Sequence, residues 1–290
     1  MSNLQSADAR TSKSLAIVDD LIEMIADSTD TARQDAVFNR WLKIQQGFWR
    51  YSYNNTLLMA YQAKGYGFQL SKVGGATKWK DLGRTVKTEA WNQRLWILAP
   101  VFKKITDKET GAEKSILSGF RSVYVFDQNQ TEGEDLPALN YRAQSDDDGL
   151  ILALEGEYAR HGITLEYRHQ VLMDSLYGGA KGVSMGKTVR VSTELQGSAR
   201  AATLAHELAH SLMHFNDDNR LLPDHSRSQA EIEAEGVAAC VLGAWGLDWE
   251  PSAMYLAAWG GNKDRVRESM QRISATSKKI LEKILPDVKE

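Results

Sequence analysis

A chain of 290 residues, 42% hydrophobic, 25% charged and with a formal net charge of −3, can bury one large core or two modest ones. None of its apolar runs approaches the ~20 residues needed to span a bilayer, so no membrane partner is expected. One cysteine, Cys240, rules out an internal disulfide, and Met1–Gln5 lacks the basic-then-apolar pattern of a secretory leader; both point to a cytoplasmic protein.

Charge is divided along the chain. Residues 1–130 hold 18 basic and 13 acidic side chains, whereas residues 131–290 hold 17 and 25. Within the first part, residues 41–130 hold 14 basic and 6 acidic side chains, and halves of opposite sign favour two domains.

Helical periodicity from about Thr11 to Ile25 and from about Thr31 to Trp49 predicts a helical N-terminal arm. A helix over Asn54–Ala63 and strands near Gly83–Thr88, Leu95–Phe102 and Phe120–Phe126 follow. This basic stretch is also aromatic: Trp41, Phe48, Trp49, Tyr51, Tyr53, Tyr61, Tyr66, Phe68, Trp79, Trp91 and Trp96 are interleaved with Arg50, Lys64, Lys72, Lys78, Lys80, Arg84, Lys87 and Arg94. Single-stranded nucleic acid is held by such a combination, cations tracking phosphates while each ring stacks a base for ~1–3 kcal/mol. For any single ring the core of a small domain is the more common fate. Trp79 and Tyr53, flanked by polar or basic neighbours, are the better exposed candidates.

Low-complexity sequence at Gln128–Leu136 and Ser145–Gly149 marks a linker. The expected division is a DNA-binding domain over 1–130, with its basic and aromatic core at 41–130, a linker over 131–145 and a second domain over 146–290. Beyond the linker the pattern predicts a helix near Gly149–His161, strands at Thr164–His169 and Thr188–Ser192, two central helices and C-terminal helices from about Ser252. The glycine-rich Tyr177–Gly182 reads as a turn with no phosphate-loop pattern. The strand within Gly186–Ser192 could pair with an extended peptide by edge addition, which suits a protease and equally an α+β core. The fold class expected is α+β.

The chemistry centres on His206-Glu207-Leu208-Ala209-His210. Residues i and i+4 share a helix face, so the ring nitrogens of His206 and His210 can converge on one Zn²⁺ at roughly 2.0–2.1 Å. Glu207 is then placed to take a proton from a metal-activated water. The competing reading is chance occurrence of a pattern with three fixed positions on an ordinary helix.

A third ligand decides the type of site. His214 continues the histidine row but lies roughly 12 Å along the axis from His206, too far to share an ion, and reads as a supporting or surface histidine. Met213 and Asn216 stand where a metzincin needs Gly and His, which excludes that class. His225 sits in a polar loop and reads as solvated. Glu231 is the preferred ligand, with Glu235, one turn on and on the same face, orienting an imidazole through its other nitrogen; Glu233 is expected to point elsewhere. A solvated acidic helix face is the alternative, weakened by the small residues Ala234, Gly236, Ala238 and Ala239. The site would be of the HExxH…Glu (gluzincin) type with one zinc per chain, and Cys240 would serve packing.

Several segments together resemble a known family. Tyr51–Leu58, Ala76–Lys87, Ile97–Pro100 and Tyr124–Pro137 look like the N-terminal domain and junction of ArdC-type antirestriction proteins, and Tyr255–Trp259 also fits. His206–His210 and Glu231–Glu235 resemble that family's zincin-like metallopeptidase domain. The resemblance implies a single-stranded-DNA-binding domain joined to a zinc peptidase-like domain, carried by mobile elements and helping incoming DNA evade restriction. It supports Glu231 as third ligand through the related ImmA/IrrE-type peptidases. Expected DNA contacts are Tyr51, Tyr53, Asn54, Asn55, Lys78, Trp79, Lys80, Arg84, Lys87 and Arg94. The family's Lys-Gly-Glu-Lys turn is replaced here by Lys87-Thr88-Glu89-Ala90, with Trp91 and Arg94 available to compensate by stacking and charge.

Three functions fit this reading: a DNA-associated zinc protease with Glu207 as general base, a stoichiometric protector of single strands with a structural or vestigial zinc, or a protease that cleaves one regulator under the control of DNA. The protein substrate is unknown in each.

Overall fold

The computed structural model describes residues 2–26, 31–106, 113–134, 147–222, 226–247 and 262–285. They form an α+β protein of two units, one comprising Met1–Leu21 and Asn54–Pro137, the other Ile22–Tyr53 and Ala138–Glu290.

In the first unit, helices α1 (Ser2–Ala26, its N-terminal part) and α3 (Tyr53–Tyr66) accompany a long antiparallel hairpin, β3 (Leu95–Thr106) and β4 (Glu113–Asp127). β1 (Val73–Gly74) pairs on the far side of β4, giving the order β1-β4-β3. β3 is an edge strand whose free backbone groups would need partners where it is buried. Two amides on α3 supply them. Asn55 donates to the Leu98 carbonyl (3.0 Å) and accepts from its N–H (2.8 Å), and Gln62 does the same at Trp96 (2.9 Å each). The seven-residue spacing on the helix thus matches a two-residue step on the strand.

A small core forms around Trp79 on α4 (Ala76–Asp81), packed with Ala90 and Phe126, its indole N–H donating to the Phe126 carbonyl at 3.0 Å. β2 (Arg84–Val86) pairs with β5 (Thr131–Gly133). Only glycine fits at 133, because a Cβ there would stand 2.4 Å from the Gly83 carbonyl oxygen.

The second unit places α8 (Arg227–Trp245) among α2 (Thr31–Gly47), α7 (Gly197–Met213) and α9 (Lys263–Ile284). Its near-continuous run of fully buried residues, Ala234 and Val237 to Leu242, befits a central helix. Glycines permit the close approaches: a Cβ at Gly236 would meet Ile273 at 2.7 Å, and one at Gly243 would meet Gln46 at 2.6 Å. α5 (Asp147–Arg160) covers α7, where the Tyr158 hydroxyl donates to the Leu204 carbonyl at 2.6 Å. A three-stranded sheet, β6 (Thr164–Arg168), β8 (Thr188–Ser192) and β7 (Gly182–Ser184), flanks α7 in the order β6-β8-β7; β6 and β8 are parallel, and α6 (Gln170–Tyr177) lies between β6 and β7 in the chain.

Several expectations change. Residues 22–53 belong to the second unit, α2 packing on α8, although a division at 131–145 put them in the first. The expected linker begins with a strand, β5. The expected turn over Tyr177–Gly182 ends by opening an edge strand, β7. His225, Tyr255–Trp259 and the onset of the C-terminal helices at Ser252 lie outside the described residues. No described helix is long and apolar enough to cross a membrane.

Candidate functional site

α7 runs without interruption from Gly197 to Met213, burying Ala201, Ala202, Leu204, Ala205, Leu208 and Ala209 and turning His206, Glu207 and His210 toward a cleft. Leucine and alanine favour the helix intrinsically, and each buried leucine adds roughly 1.5–3 kcal/mol. α8 begins at Ser226, whose hydroxyl accepts from the Gln229 N–H at 3.2 Å, and ends at Gly246 in a left-handed conformation (φ 100°). These two stops fix which turn of α8 faces the histidines.

The Nε2 atoms of His206 and His210 lie 3.0 Å apart, and Oε2 of Glu231 lies 3.3 Å from the first and 3.6 Å from the second. Donors about 2.05 Å from a tetrahedral ion stand roughly 3.3 Å from one another. The three donor atoms therefore have the spacing of one face of a metal tetrahedron, and this is the His-His-Glu group among the described residues that could hold an ion.

Each imidazole is held from behind. Glu235 lies 3.3 Å from Nδ1 of His206. His210 Nδ1 stands 2.9 Å from Nδ1 of His214, whose Nε2 stands 3.1 Å from Oε2 of Glu233. Glu233 is fully buried and accepts from Arg272 (2.6 and 2.9 Å), Ser269 (2.6 Å) and Gln229 (3.1 Å). Donors run in one direction only if His210 presents Nδ1–H, His214 accepts at Nδ1 and donates from Nε2, and Glu233 is ionised. That tautomer leaves His210 Nε2 free as a donor to a metal. His214 is thus a buried support, and Glu233, expected to point elsewhere, anchors it. The extension of the histidine row by a third i+4 step was the available sign.

The hydrogen bond from His206, with His210 beside it, holds the Glu231 carboxyl far below its ordinary range. Burial opposes charge on His206, but its bonds to Glu231 and Glu235 raise it to about 10. Burial lowers His210. Burial raises the Glu207 carboxyl to about 7, with the nearby Glu231 charge adding and His206 and the Ser184 N–H opposing. Burial also opposes charge on Glu233, yet His214, Arg272 and Ser269 bring it down to about 2.

Gly182 and Ser184 of β7 border the cleft, a cavity of about 1080 Å³ lined also by Leu195, Ala199, Thr203 and Leu222. Lys181 and Met185 turn their backbone toward β8, so the alternation directs the backbone groups of Gly182 and Ser184 outward. A Cβ on Gly182 would lie 2.6 Å from both Glu207 Oε1 and Thr203 Cγ2, so glycine is what allows the strand to pass this close to Glu207.

The expected DNA contacts separate into two groups. Trp79 is 2% exposed, Tyr53 and Asn55 are buried, and Arg84 is buried with its guanidinium donating to the Thr131 hydroxyl and carbonyl (2.8 and 3.1 Å), the Gly133 carbonyl and the Glu134 carbonyl. These four are structural, because rings in a core cannot stack bases and a guanidinium saturated by carbonyls has little left for phosphate. Lys80 is exposed, and Tyr51, Asn54, Lys78, Lys87 and Arg94 are partly exposed. Lys87 donates to the Asn129 carbonyl at 3.2 Å, and Arg94 lies over the Tyr124 ring at 4.8 Å.

Residues 159–242, which span β6 to α8 and contain all these donor groups, match the family model described as the IrrE N-terminal-like domain, a peptidase family. The antirestriction protein ArdC from plasmid R388, in its Mn(II)-bound crystal structure, aligns over 95% of this chain and 99% of that one, with 17% identity and a TM-score of 0.51. The chain shares the ArdC fold. The metal-free ArdC crystal structure aligns over 80% of this chain and 84% of that one, with 18% identity and a TM-score of 0.48. No curated protein sequence matches.

Proposed function

We propose that the protein is a DNA-associated zinc peptidase of the HExxH…Glu type, belonging to a mobile element and shielding incoming single-stranded DNA from restriction inside the cell. The observation that carries the enzymatic part is the convergence of His206, His210 and Glu231 on one point, with Glu207 and the edge strand β7 beside it.

His206, His210 and Glu231 would hold the ion, and two imidazoles with one carboxylate are a donor set of hydrolytic zinc sites. The Mn(II)-bound state of ArdC supports a divalent ion in this fold, and nitrogen-rich sites rank zinc above manganese in affinity. Zinc bound there supplies Lewis acidity toward water and a scissile carbonyl. Glu207, beside the three donors in the cleft, would accept the proton of the attacking water and return it to the leaving amine. Glu235 orients His206, and His214 with Glu233 orients His210. The outward backbone groups of Gly182 and the carbonyl of Ser184 would align an extended peptide across the cleft.

The DNA part rests on the basic character of residues 41–130 and on the likeness in fold to an antirestriction protein. Entry of unmodified plasmid into a restricting host tests the union of the two parts. Wild type should raise survival of the incoming DNA and Glu207→Gln should not. Equal protection by Glu207→Gln would establish a stoichiometric protector whose metal site is not the means of protection.

A further inference from the structure

The outer half of the β3–β4 hairpin has an unusual composition for a free-standing ribbon. From Val101 to Ile105 and from Glu113 to Leu117 every described side chain is exposed. A two-stranded ribbon in water is marginal by itself, and such ribbons are ordinarily polar on any face that nothing covers. This one exposes Phe102 (60%), Leu117 (52%) and Phe120 (48%), with Ile105 and Ile116.

Register brings these rings together on one face. Pro100 pairs with Phe120 and Phe102 with Leu117, a bulge falling between Val101 and Phe102. Cross-strand partners share a face, and residues two apart on β3 share it too, so Phe120 and Phe102 are successive rings on one side of the ribbon. Lys104 follows on that side, while Lys103 and Lys114 occupy the other. At the base of the same face Trp96 pairs with Tyr124, and the guanidiniums of Arg10 and Arg94 lie 4.8–5.9 Å from these rings. Nε of each arginine is buried and has no acceptor among the described residues.

The described residues of 94–106 and 113–125 carry five basic side chains and one acidic, Glu113. The ribbon therefore offers exposed rings for flat apolar groups and cations for a negative backbone, spaced along ~3.3 Å steps. A second copy of the same surplus of positive charge would be repelled, whereas a polyanion with unstacked bases satisfies both features.

Resting on the DNA reading above, we infer that the β3–β4 ribbon is the surface that binds single-stranded DNA, Phe102 and Phe120 stacking bases, Lys104, Arg94 and Arg10 meeting phosphates on that face, and Lys103 and Lys114 meeting those that pass over the edge to the other. This replaces the Trp79 and Arg84 region as the centre of the interface.

The test is fluorescence anisotropy of a labelled oligothymidylate titrated with full-length protein at several salt concentrations. Phe102→Ser with Phe120→Ser should weaken binding about 25-fold, each stack contributing about fivefold. Lys103→Ala, Lys104→Ala and Lys114→Ala together should flatten the slope of log affinity against log salt by about 2, at ~0.7 per lost phosphate contact on a single strand. All five positions are exposed, so the variants remove no core packing. Hydrogen exchange on the wild type supplies a readout free of substitutions: the oligonucleotide should slow exchange in residues 101–106 and 113–121. Wild-type binding with unchanged affinity and slope in both variants, or with no slowing in the ribbon, overturns this assignment and leaves the DNA reading standing. Failure of the wild type to bind the oligonucleotide, with binding to phosphatidylserine vesicles instead, overturns both.

Discussion

Nδ1 of His210 stands 2.9 Å from Nδ1 of His214, and through that contact a carboxylate on another helix, Glu233, fixes the imidazole that faces Glu231. The support is longer than the single carboxylate behind His206, and it is buried throughout.

His214→Ala, or Glu233→Gln, should therefore weaken divalent metal binding by about 10–100-fold while leaving all three donor residues in place. Competition with a chromophoric chelator measures this, and unchanged affinity would remove the pair from any positioning role. Glu233→Ala should in addition destabilise the second unit by about 3 kcal/mol, since Arg272 and His214 lose a buried acceptor.

Gly182 should resist substitution for the sake of Glu207. An alanine methyl would stand 2.6 Å from the Glu207 carboxylate, which must then swing away, and a displacement of about 1 Å from the reacting position costs on the order of 100-fold in rate. Hydrolysis of a fluorogenic peptide library should drop by that factor in Gly182→Ala, with metal content unchanged. Full activity would separate the strand from the placement of the base.

Asn55 and Gln62 should act on stability. Each substitution by alanine leaves an N–H and a carbonyl of β3 without their partner, a loss of roughly 1–3 kcal/mol. Urea unfolding of Asn55→Ala and Gln62→Ala reads the loss. A stable Asn55→Ala variant with weakened oligonucleotide binding would instead restore Asn55 to the DNA interface.

Trp79→Phe should lower stability through the lost indole bond to Phe126 and leave affinity for single-stranded DNA within twofold. A large fall in affinity at unchanged stability would contradict the placement of Trp79 in the core.

The helices of the site were legible because periodicity and the HExxH spacing are local, and a helix converts spacing into geometry with little help from the rest of the fold. Glu231 and Glu235 could be placed on one face for the same reason. Glu233 could not, because its partners, His214 and Arg272, reside on two other helices, and only the packing of α8 against both reveals that the third face of the acidic run is interior. β7 was missed because three residues after a glycine-rich turn carry no alternation long enough to read. The aromatic segment misled for the opposite reason. Polar and basic neighbours of Trp79 and Tyr53 suggested exposure, but a small unit has few large side chains with which to build a core, and it recruits those it has. The rings left in water lie on a ribbon whose pairing continues well past the strand ends that the pattern marked at Phe102 and Phe120.

The most direct test of the metal centre is the zinc content of freshly purified protein by elemental mass spectrometry, in wild type, Glu207→Gln, Glu231→Ala and Glu235→Ala. About one zinc per chain is expected in the wild type and Glu207→Gln, with a loss in Glu231→Ala and partial retention in Glu235→Ala. Full zinc in Glu231→Ala, or none in the wild type, would contradict a centre built on His206, His210 and Glu231.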